Sequence, residues 1–106
     1  MSKLSKIIAG HVFGLTICLA VPACALESAP NGKVLAQRWC ATCHLVSPGQ
    51  ATASADVPTF MTLAKRSDRE IDKLPNFLAH PHPVMPDMQL TRSEIADIVA
   101  YIRSLK

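Results

Sequence analysis

The residues with the clearest chemistry lie together in WCATCH, Trp39 to His44. Two thiols separated by two residues and followed at once by an imidazole form C-x-x-C-H, the haem attachment signature. The spacing has a chemical reason. Each thiol adds to one porphyrin vinyl group, the two intervening residues set the sulfurs at the separation of the two vinyls, and His44 is delivered to the proximal face of the iron. Two other chemistries use paired cysteines. A thioredoxin-like C-x-x-C belongs beside a βαβ pattern, and no strand-rich pattern of that kind is visible. A structural zinc site needs further ligands at recognisable spacing and would have to recruit His80 or His82. The segment is therefore read as a site for one haem c and its iron, held by two thioethers through Cys40 and Cys43.

The surrounding chain is the kind that needs such a group. With 106 residues, one Trp, one Tyr and three Phe, it has room for a single domain. Residues 1–25 read as a secretory signal peptide: Lys3 and Lys6 precede an apolar run from Ile7 to Val21, then Pro22 and the small-residue triplet Ala23-Cys24-Ala25. Cleavage after Ala25 leaves a domain over 26–106. Retention as an anchor is disfavoured by the shortness of the run and by Gly10, His11 and Gly14 within it. Acylation of Cys24 is disfavoured by Pro22. Cys18 and Cys24 leave with the leader, so no disulfide framework remains, and a bond between Cys40 and Cys43 would close too small a loop to staple a fold. A domain of about 80 residues with so little aromatic core usually leans on a metal, a cofactor or cross-links. The formal charge is +3; with Lys3 and Lys6 gone it falls to +1. So balanced a surface argues against nucleic acid as a partner, because phosphate binding needs clustered Lys and Arg.

The elements that must position the motif are helical. Gly32 to Cys40 alternates apolar Val34, Leu35 and Trp39 with polar Lys33, Gln37 and Arg38, a short helix running into the site. Leu45 to Val57 is rich in Ser, Thr, Ala, Pro and Gly and reads as a surface loop. Pro58 suits the first turn of a helix carrying Phe60, Met61, Leu63 and Ala64. Ser67 and Glu70 form a capping box for a helix with Ile71, Leu74, Phe77 and Leu78, broken or kinked at Pro75. Thr91 and Glu94 cap the strongest helix, whose Ile95, Ile98, Val99, Ile102 and Leu105 make one apolar stripe, with Arg103 and Lys106 complementing its C-terminal dipole. Arg38, Lys65, Arg66 and Arg69 could pair with haem propionates or form a docking patch, but read mainly as solvated faces.

With these residues in view, the chain resembles the small bacterial class I cytochromes c over essentially its whole mature length. Gly32 stands eight residues before Cys40, where that family has a Gly letting the terminal helices cross; Ile98, Tyr101 and Ile102 match the partner helix; Met85-Pro86 precedes it. Ala36 departs from a position often aromatic in the family. The resemblance implies an all-α fold of three to five short helices around one covalent haem, with His44 and a Met as axial ligands. Among Met61, Met85, Met88, His80 and His82, the family pattern and the stiffening of HPHPVMP by Pro81, Pro83 and Pro86 select Met85. By the same resemblance the Pro58 carbonyl is expected to accept the other ring hydrogen of His44, with Pro48 as the alternative. With both axial positions filled by protein, no site remains for oxygen or a small-molecule substrate. The expected function is one-electron transfer in the bacterial periplasm between membrane or soluble oxidoreductases, and not catalysis. Two alternatives are a haem subunit of a periplasmic dehydrogenase and a haem-based ligand sensor.

Overall fold

The computed structural model describes residues 26–81 and 84–106. The segment read as a leader lies outside the described residues, as do His82 and Pro83 of the proline-rich loop. Among the described residues there are helices and no strands: α1 (Ala29–Trp39), α2 (Phe60–Ala64), α3 (Asp68–Ile71), α4 (Leu74–Ala79) and α5 (Arg92–Arg103). No helix among them is long and apolar enough to cross a membrane.

Helix α1 begins three residues before Gly32, where the apolar pattern alone would start it. Ser28 takes an extended backbone and its hydroxyl accepts the Asn31 N–H at 3.3 Å, while Pro30 sits in the first turn, where no helical partner for its missing N–H is needed. Its other end runs straight into the C-x-x-C-H turn: the N–H of Cys40 reaches Ala36 O at 2.9 Å, and those of Cys43 and His44 reach Cys40 O at 3.1 and 2.8 Å. The motif is thus a continuation of α1 and moves with it.

Helix α5 is the partner of α1. Its N-terminus carries a reciprocal cap, in which Thr91 Oγ1 accepts the Glu94 N–H at 3.3 Å and Glu94 Oε2 accepts the Thr91 N–H at 2.8 Å. Ile95, Ile98, Val99, Tyr101 and Ile102 are buried along it. The two helices cross at Gly32, where an added Cβ would stand 1.9 Å from the Asp97 carbonyl oxygen and 2.9 Å from the Ile98 nitrogen. Only glycine lets the backbones approach this closely. Ala36 is 0% exposed in the same core, so the helices dock around a small side chain there; Trp39 does not replace the missing aromatic and stays 42% exposed. Asp97 adds a polar clamp at the crossing. Its buried carboxylate accepts the Ser28 N–H at 2.7 Å and the Asn31 side-chain amide, at the end of α1 where helix geometry leaves N–H groups unpaired and favours negative charge.

The short helices differ in detail from the sequence pattern. Thr59, not Pro58, caps α2, its hydroxyl accepting the Thr62 N–H at 3.0 Å, so Pro58 precedes the helix in non-helical chain. The stretch from Ile71 to Leu78 is broken into α3 and α4 with Pro75 in the first turn of α4, because its ring would clash with the preceding turn of a continuous helix. Glu70 caps α3 by accepting from the Ser67 N–H at 3.2 Å and hydroxyl at 2.9 Å. Arg103 pairs with Asp72, and Lys106 with Asp68 at 2.6 Å, so these cations tie the end of α5 to α3 besides meeting its own dipole.

Candidate haem site

Beneath α1 and α5 the described residues surround a cavity of about 850 Å³, near the upper end of the roughly 300–1,000 Å³ typical of cofactor sites. Its wall is largely apolar, with Phe60, Leu63, Leu74, Leu78, Ile98 and Ile102 contributing. Cys40, Cys43 and His44 open onto it, and so do Met85 and Met88. A large apolar group that bonds the two sulfurs therefore fits this cavity.

The two sulfurs differ in setting. Cys40 is buried and Cys43 exposed, with the Ser54 hydroxyl 3.8 Å from the Cys43 sulfur. Burial foremost, and then Cys43 beside it, pushes the Cys40 thiol up to about 11. Such a place suits a neutral sulfur, as in a thioether. Among the described residues no three His, Cys, Asp or Glu side chains come together to hold a metal ion.

His44 is half-buried and oriented. Its Nδ1 lies 2.8 Å from the Pro58 carbonyl oxygen. A carbonyl can only accept, so Nδ1 carries the hydrogen and Nε2 is left with its lone pair free to bind a metal. The Phe60 ring stands 5.8 Å from the imidazole, and Tyr101 6.4 Å beyond Phe60. Tyr101 donates its hydroxyl to Val46 O at 2.8 Å, pinning the start of the loop to α5; burial raises the phenol above its ordinary range.

The other candidates disperse. Met61 is half-buried against the core, and Pro48 is exposed. His80 is exposed at the end of α4 with Nδ1 3.1 Å from Asn76 O, and it does not line the cavity. Arg66 reaches the cavity, Arg38 lies 4.9 Å over the Trp39 ring, and Lys65 and Arg69 are exposed. Gln50, in the loop that follows the motif, makes four hydrogen bonds around it. No periodicity or spacing marks it, because its partners are backbone atoms.

A helical shell closing on an apolar cavity, entered by thiols fit for thioethers and by an oriented imidazole, describes a haem c protein. Comparison with known proteins narrows this. The model of the cytochrome c family matches residues 29–106. Cytochrome c-552 of Bradyrhizobium diazoefficiens is 48% identical over 100 residues, covering 91% of this chain and 96% of the relative. No solved structure matches the chain. The chain belongs to the cytochrome c family; it is a small bacterial class I member that carries covalent haem c with its iron and transfers electrons.

Proposed function

We propose that this protein is a periplasmic one-electron carrier whose haem is joined through Cys40 and Cys43 and whose iron is held between His44 and Met85. The observation that carries the reading is the His44 Nδ1 contact to Pro58 O at 2.8 Å, in a cavity that Met85 also lines. It supports a ligating role because an imidazole fixed through one nitrogen presents the other in a single direction. The haem supplies a one-electron couple at its iron. The chain would supply the rest: Cys40 and Cys43 to anchor the group, an apolar wall to keep water from it, and His44 and Met85 to hold its iron and so leave no place for a substrate. Residues 1–25 act as the export leader in this reading, and Leu26 begins the mature chain just ahead of the first residue matched to the family. The partners are oxidoreductases of the membrane or periplasm.

The test is made on protein exported alongside the cytochrome c maturation machinery. Acid-acetone should leave the haem on the polypeptide. The oxidised spectrum should carry the weak near-infrared sulfur-to-iron band, and carbon monoxide should hardly bind the reduced form. Extraction of the haem would overturn covalent attachment. Rapid carbon monoxide binding to the wild-type protein would favour a ligand sensor, and copurification with a dehydrogenase would make the chain an enzyme's haem subunit.

A further inference from the structure

Gln50 lies six residues past His44, in a segment whose composition suggests only surface loop, yet its side chain is fully engaged. Oε1 accepts the Val46 N–H at 2.9 Å. Nε2 faces the carbonyl oxygens of Ala41, His44 and Thr52 at 2.8, 2.9 and 2.9 Å. The orientation of the amide is forced, since carbonyls only accept and a backbone N–H only donates. Its two hydrogens serve three acceptors, so one is shared between two carbonyls. At the end of a helical turn the carbonyls lack the N–H groups of a following turn, and here one side chain takes that place for both Ala41 and His44.

The consequence reaches the imidazole. The contact between His44 Nδ1 and Pro58 O joins two segments fourteen residues apart, and it can orient the ring only if their backbones keep a constant relation. Gln50 ties the turn bearing His44 to the loop at Val46 and Thr52. The loop is stitched on by two further bonds, Ser54 N–H to Thr42 O at 2.8 Å and Phe60 N–H to Leu45 O at 2.9 Å. The Gln50 side chain is the only member of this set that grips the His44 backbone itself.

We infer that Gln50 is a positioning residue: by holding the His44 carbonyl and the loop that leads to Pro58, it sets the ring orientation in which His44 meets the haem iron. The inference rests on the proposed ligation by His44. A Glu at this position keeps the shape and can still accept from Val46, but as a carboxylate it has no hydrogen for the three carbonyls; once protonated it has one. Leu has none at any pH.

The experiment compares wild-type, Gln50→Glu and Gln50→Leu holoproteins at pH 7 by electron paramagnetic resonance of the oxidised haem and by reduction potential. At pH 7 both variants should show shifted low-spin g-values and a shifted potential. Wild-type g-values and potential in both variants, even with lower thermal stability, would overturn the inference and leave Gln50 a loop brace only. If neither variant yields holoprotein, Gln50→Asn, one methylene shorter, decides by the same comparison at pH 7. His44→Ala holoprotein tests the underlying reading separately: an unchanged low-spin signal there would show that His44 is not the ligand, whatever the Gln50 variants do.

Discussion

At the scale of single residues, chemistry at this site turns on which atoms are free and which are committed. The Pro58 carbonyl commits Nδ1 of His44, so only Nε2 can bind a metal, and burial keeps the Cys40 sulfur in a setting that favours a neutral form. Met85 and Met88 both line the cavity, so the distal assignment has a direct competitor three residues away. Met85 is followed by Pro86, which limits the conformations its loop must give up when held against a ligand. Met88 is followed by Gln89, whose φ of 50° is left-handed and whose N–H is held by Asp87 Oδ1 at 2.8 Å. Met85→Ala holoprotein should lose the near-infrared sulfur-to-iron band, fall in reduction potential and bind carbon monoxide when reduced, since a thioether stabilises ferrous iron. Met88→Ala should keep the band. The reverse pattern in the two optical spectra would transfer the ligand role to Met88.

At the scale of elements, the helix crossing controls the site because the haem motif is the end of α1. Gly32 sits 1.9 Å, at its would-be Cβ, from the backbone oxygen of Asp97, and a backbone atom of a capped helix has no rotamer by which to yield. Gly32→Ala must therefore separate α1 from α5 or bend one of them, displacing Cys40 and His44 with it. The expected cost is at least about 3 kcal/mol, at the upper end of overpacking effects, despite the better helix propensity of Ala. Guanidinium titration of the holoprotein measures it; a loss under about 1 kcal/mol, within the range of surface substitutions and small repacking, would mean that the crossing is far more compliant than its geometry.

For the molecule as a whole, acid stability depends on carboxylates at helix ends. Glu94 is held below the usual carboxylate range by the Thr91 backbone N–H first and then its hydroxyl, Glu70 by the Ser67 hydroxyl and N–H, and Asp68 by its hydrogen bond to Lys106 and the attraction of that charge. A carboxyl group whose pKa is lower in the folded than in the unfolded chain contributes stability above the unfolded value and loses it as pH falls through the folded one. The thermal midpoint of the holoprotein should accordingly be level between pH 7 and about 5 and drop below about 4.5, the ordinary carboxylate range. All three groups are solvent-exposed, so salt screens the Asp68 contribution most. Glu94→Gln should lower the midpoint at pH 7 and flatten the fall below 4.5; calorimetric traces in which the variant runs parallel to wild type would remove Glu94 from this account.

Local chemistry was legible because it is encoded at short range. C-x-x-C-H fits its cofactor through contiguous residues, and the boxes at Ser67 and Thr91 close within one turn, so residue order alone pointed to haem c, to capped helices and to the break at Pro75. The all-α cytochrome c class followed from Gly32, Met85-Pro86 and the final helix taken in order. Other features depend on partners far along the chain. Whether Thr59 or Pro58 begins α2 was settled by which side chain reaches an N–H, and Ala36 docks well only because Gly32 has already brought α5 close. Asp97 meets Ser28 across sixty-nine residues, and Tyr101 meets Val46 across fifty-five. Gln50 binds backbone carbonyls, which every residue carries and no sequence pattern distinguishes. Composition and spacing therefore determined what group this protein holds, whereas only the tertiary structure decided how the His44 imidazole is oriented, because that orientation is set by backbone atoms brought together in folding.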